Sequence, residues 1–184
     1  PGPVLDEPLR ERAAIEALPE PDSAEVAPEV PATLEIVRRE LAGRATVLGF
    51  AGAPLTLAAY LVQGHGKTTF PRLRALAAAD PETFGLLLGK LTRLVAGYLK
   101  EQVKAGAQAV QVFDSWGGLL SLRDWRRLVR PHLRELFQEL QSLDAPVIYF
   151  LHEAPHLVDD ALELPWDALA LDWPPDPDAA RELF

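Results

Sequence analysis

The chain has 184 residues, 48% apolar and 24% charged, with a net charge of −9 and no cysteine. That is a globular composition, long enough for one domain with a sizeable core and too short for two; it excludes disulfides, thiolate nucleophiles and thiolate metal sites. The acidic balance argues against a nucleic-acid ligand, whose partners carry a basic footprint, and no apolar run reaches the roughly eighteen residues of a membrane span.

Residues 1–31 are rich in proline and acid, which rules out a long helix. A short helix fits around 9–18, and the rest reads as an extended lead-in. The N-terminus has neither the basic start nor the apolar core of a signal peptide; it starts with Pro1 rather than Met, and the ends are read as cut or processed. Met and Asn are absent and Arg outnumbers Lys, which matches both a thermophile habit and a GC-rich genome.

From Thr33 the pattern alternates. A helix over 33–41 ends at Gly43. TVLGF, at 46–50, is a short apolar run between turn residues and reads as a buried strand. Pro54 opens a helix to Val62, since proline is tolerated in a first turn; a loop, 64–69, and a short helix near 70–78 follow. Asp80-Pro81 supplies an N-cap with proline at the first helical position. That helix runs to about Lys104, with Leu87, Leu91, Leu94, Val95 and Leu99 on one stripe, and Gly106 stops it. AVQVF, at 109–113, is a second strand. Asp124 is the expected cap of a long helix to about Leu143, with a kink at Pro131. PVIYFL, at 146–151, is a third strand, followed by a helix over 155–163, a fourth strand over 168–171 and a last helix near 178–184. Strands separated by helices imply right-handed parallel βαβ units. Four of them fit an open doubly wound sheet or an arc of an eight-stranded barrel. The division expected is a lead-in, 1–31, and one partial α/β domain, 32–184.

In parallel α/β folds chemistry gathers at the C-terminal ends of strands. At the first, GFAGAPLTLAAY, the new helix offers free N–H groups and Tyr60 can aim a hydroxyl at a pocket; the alternative is a turn with a core tyrosine. At the second, VFDSWGG, the strand runs straight into Asp114 and Ser115, either site residues or a pair capping loop amides. After the third and fourth strands come His152-Glu153 and Asp172-Trp173. His152 can bind a carboxylate or move a proton, or be structural, and Asp172 can cap the next turn. GHGKT, at 64–68, imitates a phosphate loop but has Leu61 where a glycine is required, and it follows a helix. His152 and His156 are spaced as helical zinc ligands, but Pro155 starts the helix between them and no thiol completes a set.

GFAGAPLTLAAYLVQG, at 49–64, closely resembles a signature of the uroporphyrinogen decarboxylase family. Leu55 replaces a usual aromatic and Gln63 a usual Glu or Ala. QVKAGAQAVQVFDSWGG, at 102–118, and LALDW, at 169–173, are further matches in the family's order. The resemblance runs from about Thr33 to the C-terminus and implies the middle of a (β/α)8 TIM barrel. It implies a cytoplasmic, homodimeric carboxy-lyase that removes CO2 from the four acetate side chains of uroporphyrinogen III, giving coproporphyrinogen III in haem biosynthesis. It also implies no cofactor and no metal, because a protonated pyrrole can hold the electrons that CO2 leaves behind, stabilised by a carboxylate beside its N–H groups. Carried over residue by residue, Tyr60 and Ser115 match substrate-binding positions, and Phe50 and Phe113 match pocket-lining ones. The family's aspartate and arginines lie upstream of this chain and its histidine downstream, so the fragment alone is expected to be inactive.

Two rival readings stay open. A cobalamin-linked methyltransferase of the same superfamily uses a His-x-Cys zinc motif, whereas His152 here is followed by Glu153 and Ala154. The other rival is a non-catalytic barrel fragment that acts only in binding or assembly.

Overall fold

The computed structural model describes residues 4–66 and 69–172. Trp173 and the helix expected near 178–184 lie outside the described residues, as do Lys67 and Thr68 of the phosphate-loop-like segment. The elements in chain order are α1 (Arg12–Glu16), α2 (Glu29–Leu41), β1 (Leu48–Gly52), α3 (Pro54–Gln63), α4 (Pro71–Ala79), α5 (Pro81–Lys104), β2 (Ala109–Asp114), α6 (Leu122–Leu128), α7 (Arg130–Leu140), β3 (Val147–Leu151), α8 (Val158–Leu162) and β4 (Ala168–Leu171). The four strands form one sheet in the order β1-β2-β3-β4, with every neighbouring pair parallel. Sequential parallel strands with helices between them are an arc of a (β/α)8 barrel; an open doubly wound sheet would reverse its strand order.

The core lies between the outer face of the sheet and the helices. Val110, Val112, Tyr149 and Leu151 from the strands meet Leu87, Leu99, Leu133 and Phe137 from α5 and α7, all buried. Burying a leucine or valine side chain fully contributes about 1.5–3 kcal/mol. α5 begins and ends where its signals stand: the Asp80 carboxylate accepts from the Thr83 amide at 3.0 Å, Pro81 fills the first turn, and the helix stops at Lys104. β1 sits two residues later than the apolar run suggests. Its outer edge is held by α5, where Gln102 accepts from the Phe50 amide at 2.9 Å and donates to the Phe50 carbonyl at 3.0 Å. A Cβ on Gly49 would lie 2.6 Å from the Gln102 oxygen, so the close approach of helix and strand requires glycine there.

Three helices depart from expectation. The cap before β3 is Ser121, not Asp124: its hydroxyl accepts from the Asp124 amide at 3.2 Å, and the Asp124 carboxylate takes the hydroxyl at 2.8 Å. The single long helix is two, broken at Val129, because Pro131 has no N–H to extend α6 and sits in the first turn of α7 instead. The segment over 155–163 opens as a 3-10 turn, Pro155–Leu157, before α8. Asp160 of α8, almost fully buried, ties these pieces together by accepting from Arg126 twice at 2.7 Å and from Arg130 at 3.0 Å.

The Pro-rich segment is docked on the helices. Leu5 and Leu9 donate amides to the Gly64 and Leu61 carbonyls, each at 2.9 Å. Ile15 is fully buried. Lys90 donates to the carbonyls of Glu16 at 2.9 Å and Leu18 at 2.8 Å, so a helix C-terminus receives a cation.

Candidate functional site

Alternation along the strands separates two faces. Val112, Asp114, Tyr149 and Leu151 face the helices and are buried. The other face, which a closed barrel turns inward, carries Phe50, Phe113 and Phe150. The Phe50 and Phe113 rings meet edge to face with centroids 5.9 Å apart, and Phe113 meets Phe150 at 5.4 Å. His152 continues the row, its ring stacked on Phe150 at 6.1 Å and 23°. Phe50 is 63% exposed. Phe50 and Phe113 lie within the family-like segments 49–64 and 102–118; Phe150 lies outside them.

Asp114, the last residue of β2, belongs to the opposite face. It is completely buried, and its Oδ2 accepts from the Tyr149 hydroxyl at 2.8 Å. Burial lifts its carboxyl to about 6. The Tyr149 hydroxyl, the amides of Trp116 and Gly117 and the Thr56 hydroxyl pull in the other direction, towards the charged form, yet Oδ1 has no hydrogen bond. A Cβ on Gly117 would fall 2.9 Å from Oδ2, so the loop closes tightly over the carboxylate. Burial, the adjacent Asp114 anion and its hydrogen bond push the Tyr149 hydroxyl well above its ordinary value. Asp114 thus shapes the strand-end loop and does not face the aromatic strip.

Ser115 is the first residue past β2 and is half-buried. Its amide donates to the Thr56 hydroxyl of α3 at 3.0 Å, while its own hydroxyl makes no hydrogen bond among the described residues. Tyr60 lies one turn beyond Thr56 on the same helix face. Its ring packs edge to face on Trp116 at 6.4 Å and on Phe70 at 5.8 Å. Thr56 and Trp116 therefore join the two segments that carry Tyr60 and Ser115. Tyr60 also walls an apolar cavity of about 280 Å³ with Leu57, Leu61, Leu91 and Leu94. Thr56 carried no signal beyond its place in the motif, and only the fold shows its contact with the second strand end.

The ends of β3 and β4 are tied together. His152 Nδ1 lies 2.6 Å from Asp172 Oδ2, and the same oxygen accepts from the Glu153 amide at 2.8 Å, where the backbone turns with φ +46°. His156 points elsewhere, its Nε2 3.0 Å from the Leu120 carbonyl, so the two histidines do not converge. Among the described residues no group of three or more His, Asp or Glu is placed to hold a metal ion, and no helix is long and apolar enough to cross a membrane.

Known proteins resemble this chain along its whole length. A uroporphyrinogen decarboxylase from Geobacter metallireducens is 39% identical over 184 residues, which is 100% of this chain and 54% of that protein. Another, from Bacillus pumilus, is 40% identical over 181 residues, covering 98% of this chain and 51% of that protein. The chain thus spans about half the length of the relatives it matches. Among solved structures, a methyltransferase from Methanosarcina mazei superposes with a TM-score of 0.72 at 14% identity, over 92% of this chain and 48% of that one; at that identity the likeness is one of fold alone. The family model described as uroporphyrinogen decarboxylase matches residues 1–184, and the chain belongs to that family.

Proposed function

We propose that this chain supplies part of the substrate site of an enzyme that decarboxylates the four acetate side chains of uroporphyrinogen III to give coproporphyrinogen III. The observation that carries the reading is the row of Phe50, Phe113 and Phe150 across three adjacent strands, with the unbonded Ser115 hydroxyl at its rim. Aromatic faces and edges pack a pyrrole well. An apolar floor also removes water from the carboxylate that must lose its charge as CO2.

The chemistry needs a place for the electron pair left on the side-chain carbon. A pyrrole protonated at ring carbon is that place, and the carboxylates not reacting must be held by donors. Ser115 and Tyr60 provide such donors on this chain. The reading assigns the carboxylate that faces the pyrrole N–H groups, and the arginines, to sequence outside these 184 residues, which fits the acidic balance of this chain. The reading includes a homodimer in the cytoplasm.

The test is to incubate the full-length protein carrying this chain with uroporphyrinogen III and separate the oxidised products by carboxylate number. Stepwise appearance of porphyrins with fewer carboxylates, unaffected by a metal chelator, is expected. Recovery of unchanged substrate, or loss of activity on chelation, counts against the reading.

A further inference from the structure

We propose that His152 is a further substrate-binding side chain, which forms with Ser115 a seat for one carboxylate of the substrate while Asp172 orients its ring. The proposal rests on the function proposed above and extends it to a residue at the end of β3.

Strand register places the three residues abreast. β2 and β3 pair up to Asp114 opposite Leu151, and β3 and β4 up to Leu151 opposite Leu171. The ladder continues for one more bond, the His152 amide donating to the Asp114 carbonyl at 3.2 Å. One step further, Ser115, His152 and Asp172 occupy neighbouring strand ends, about 5 Å apart, the spacing of strands in a sheet. Alternation puts residues two beyond Phe113 and Phe150 on the aromatic face, and the stacking of His152 on Phe150 shows it there. The His152 side chain is 37% exposed, open to the face on which the substrate is proposed to lie.

The hydrogen bonding decides what the row can do. No hydrogen bond joins Ser115 to the imidazole among the described residues, so the serine is not an activated nucleophile. The row is instead two donors side by side. Asp172 engages Nδ1 and is itself held by the Glu153 amide, which fixes the ring in its own plane and directs Nε2 away from Asp172. An imidazolium donates from both nitrogens, and a hydroxyl donates once. One carboxylate oxygen on Nε2 and the other on the Ser115 hydroxyl fits the strand spacing. With Nδ1 on Asp172, donation from Nε2 requires the imidazolium form, so the seat as proposed uses the ring with both nitrogens protonated while the substrate carboxylate is bound.

The experiment measures KM and kcat for uroporphyrinogen in the full-length protein, with His152→Ala, His152→Lys, Ser115→Ala and the Ser115/His152 double alanine variant. Loss of one hydrogen bond to a charged group corresponds to roughly 10- to 150-fold, and His152→Ala is expected to show it in KM with kcat nearly unchanged. His152→Lys, which restores a cation, should recover most of the loss; a packing role would not be rescued by lysine. In the double variant the two losses should not multiply, because both residues hold one carboxylate. An unchanged KM in His152→Ala, failure of lysine to rescue a variant that still melts like the wild type, or fully multiplicative losses would overturn the proposal. If Ser115→Ala impairs KM and His152→Ala does not, only the seat is wrong. If the wild type does not decarboxylate uroporphyrinogen, the functional reading falls and the seat with it.

Discussion

Replacing Asp114 with Asn should make the protein more stable at neutral pH than the wild type, by an amount that disappears in acid. Asp114 is fully buried, and its carboxyl is lifted from 3.8 to about 6. A carboxyl raised in the folded state favours folding while it stays protonated. That contribution is fully present below the unfolded value and is lost as pH rises through about 6. Two pKa units correspond to about 3 kcal/mol at 1.36 kcal/mol each, an order-of-magnitude figure. Asparagine keeps the shape, can still accept from the Tyr149 hydroxyl and never ionises. Other carboxyls, such as Asp160 beside Arg126, are shifted downwards and titrate alike in both proteins, so they cancel in the difference. The assay is urea unfolding of both proteins from about pH 4 to pH 7.5, with stability read from midpoint and slope. The stability of the variant minus that of the wild type should rise by about 2–3 kcal/mol across the range, since part of the difference has already developed at pH 4. A difference that does not change with pH, or that falls as pH rises, would refute the reasoning from burial.

Two further outcomes follow from the site and its support. In the full-length protein Tyr60→Phe and Ser115→Ala should each lower kcat/KM by roughly 10- to 150-fold, the loss of one hydrogen bond to a charged group, without a change in melting temperature; unchanged kinetics in either would remove that residue from the site. Gln102→Leu leaves the Phe50 amide and carbonyl without partners and should destabilise the protein by about 1–3 kcal/mol for each polar group left buried, read by urea unfolding; a loss under about 0.5 kcal/mol would mean water replaces the side-chain amide.

Strands and helices were legible where local chemistry marks them. Asp80-Pro81 and Gly106 bracket α5, and each short apolar run between turn residues became a parallel strand. The break at Val129 was harder to read, because Pro131 permits either a kink or a new first turn, and only packing on α8 through Asp160 decides. Ser121 with Asp124 three residues on is a capping pattern that could have been read directly. The site divides in the same way. Phe50, Phe113, Tyr60 and Ser115 stand out at strand ends and in the family motifs. Phe150 did not, because PVIYFL is apolar on both faces and carries no alternation in polarity to say which residues point inward. Asp114 and Ser115 are adjacent in sequence, yet Asp114 is completely buried on the helix side of β2 while Ser115 is half-buried beyond its end, a distinction that only the register of β2 reveals.

The most direct measurement is a crystal structure of the full-length protein with coproporphyrinogen bound. The account predicts the macrocycle packed on Phe50 and Phe113, with a carboxylate within hydrogen-bonding distance of the Ser115 hydroxyl. A tetrapyrrole bound elsewhere, for instance among the outer helices, with the aromatic strip left bare, would contradict it.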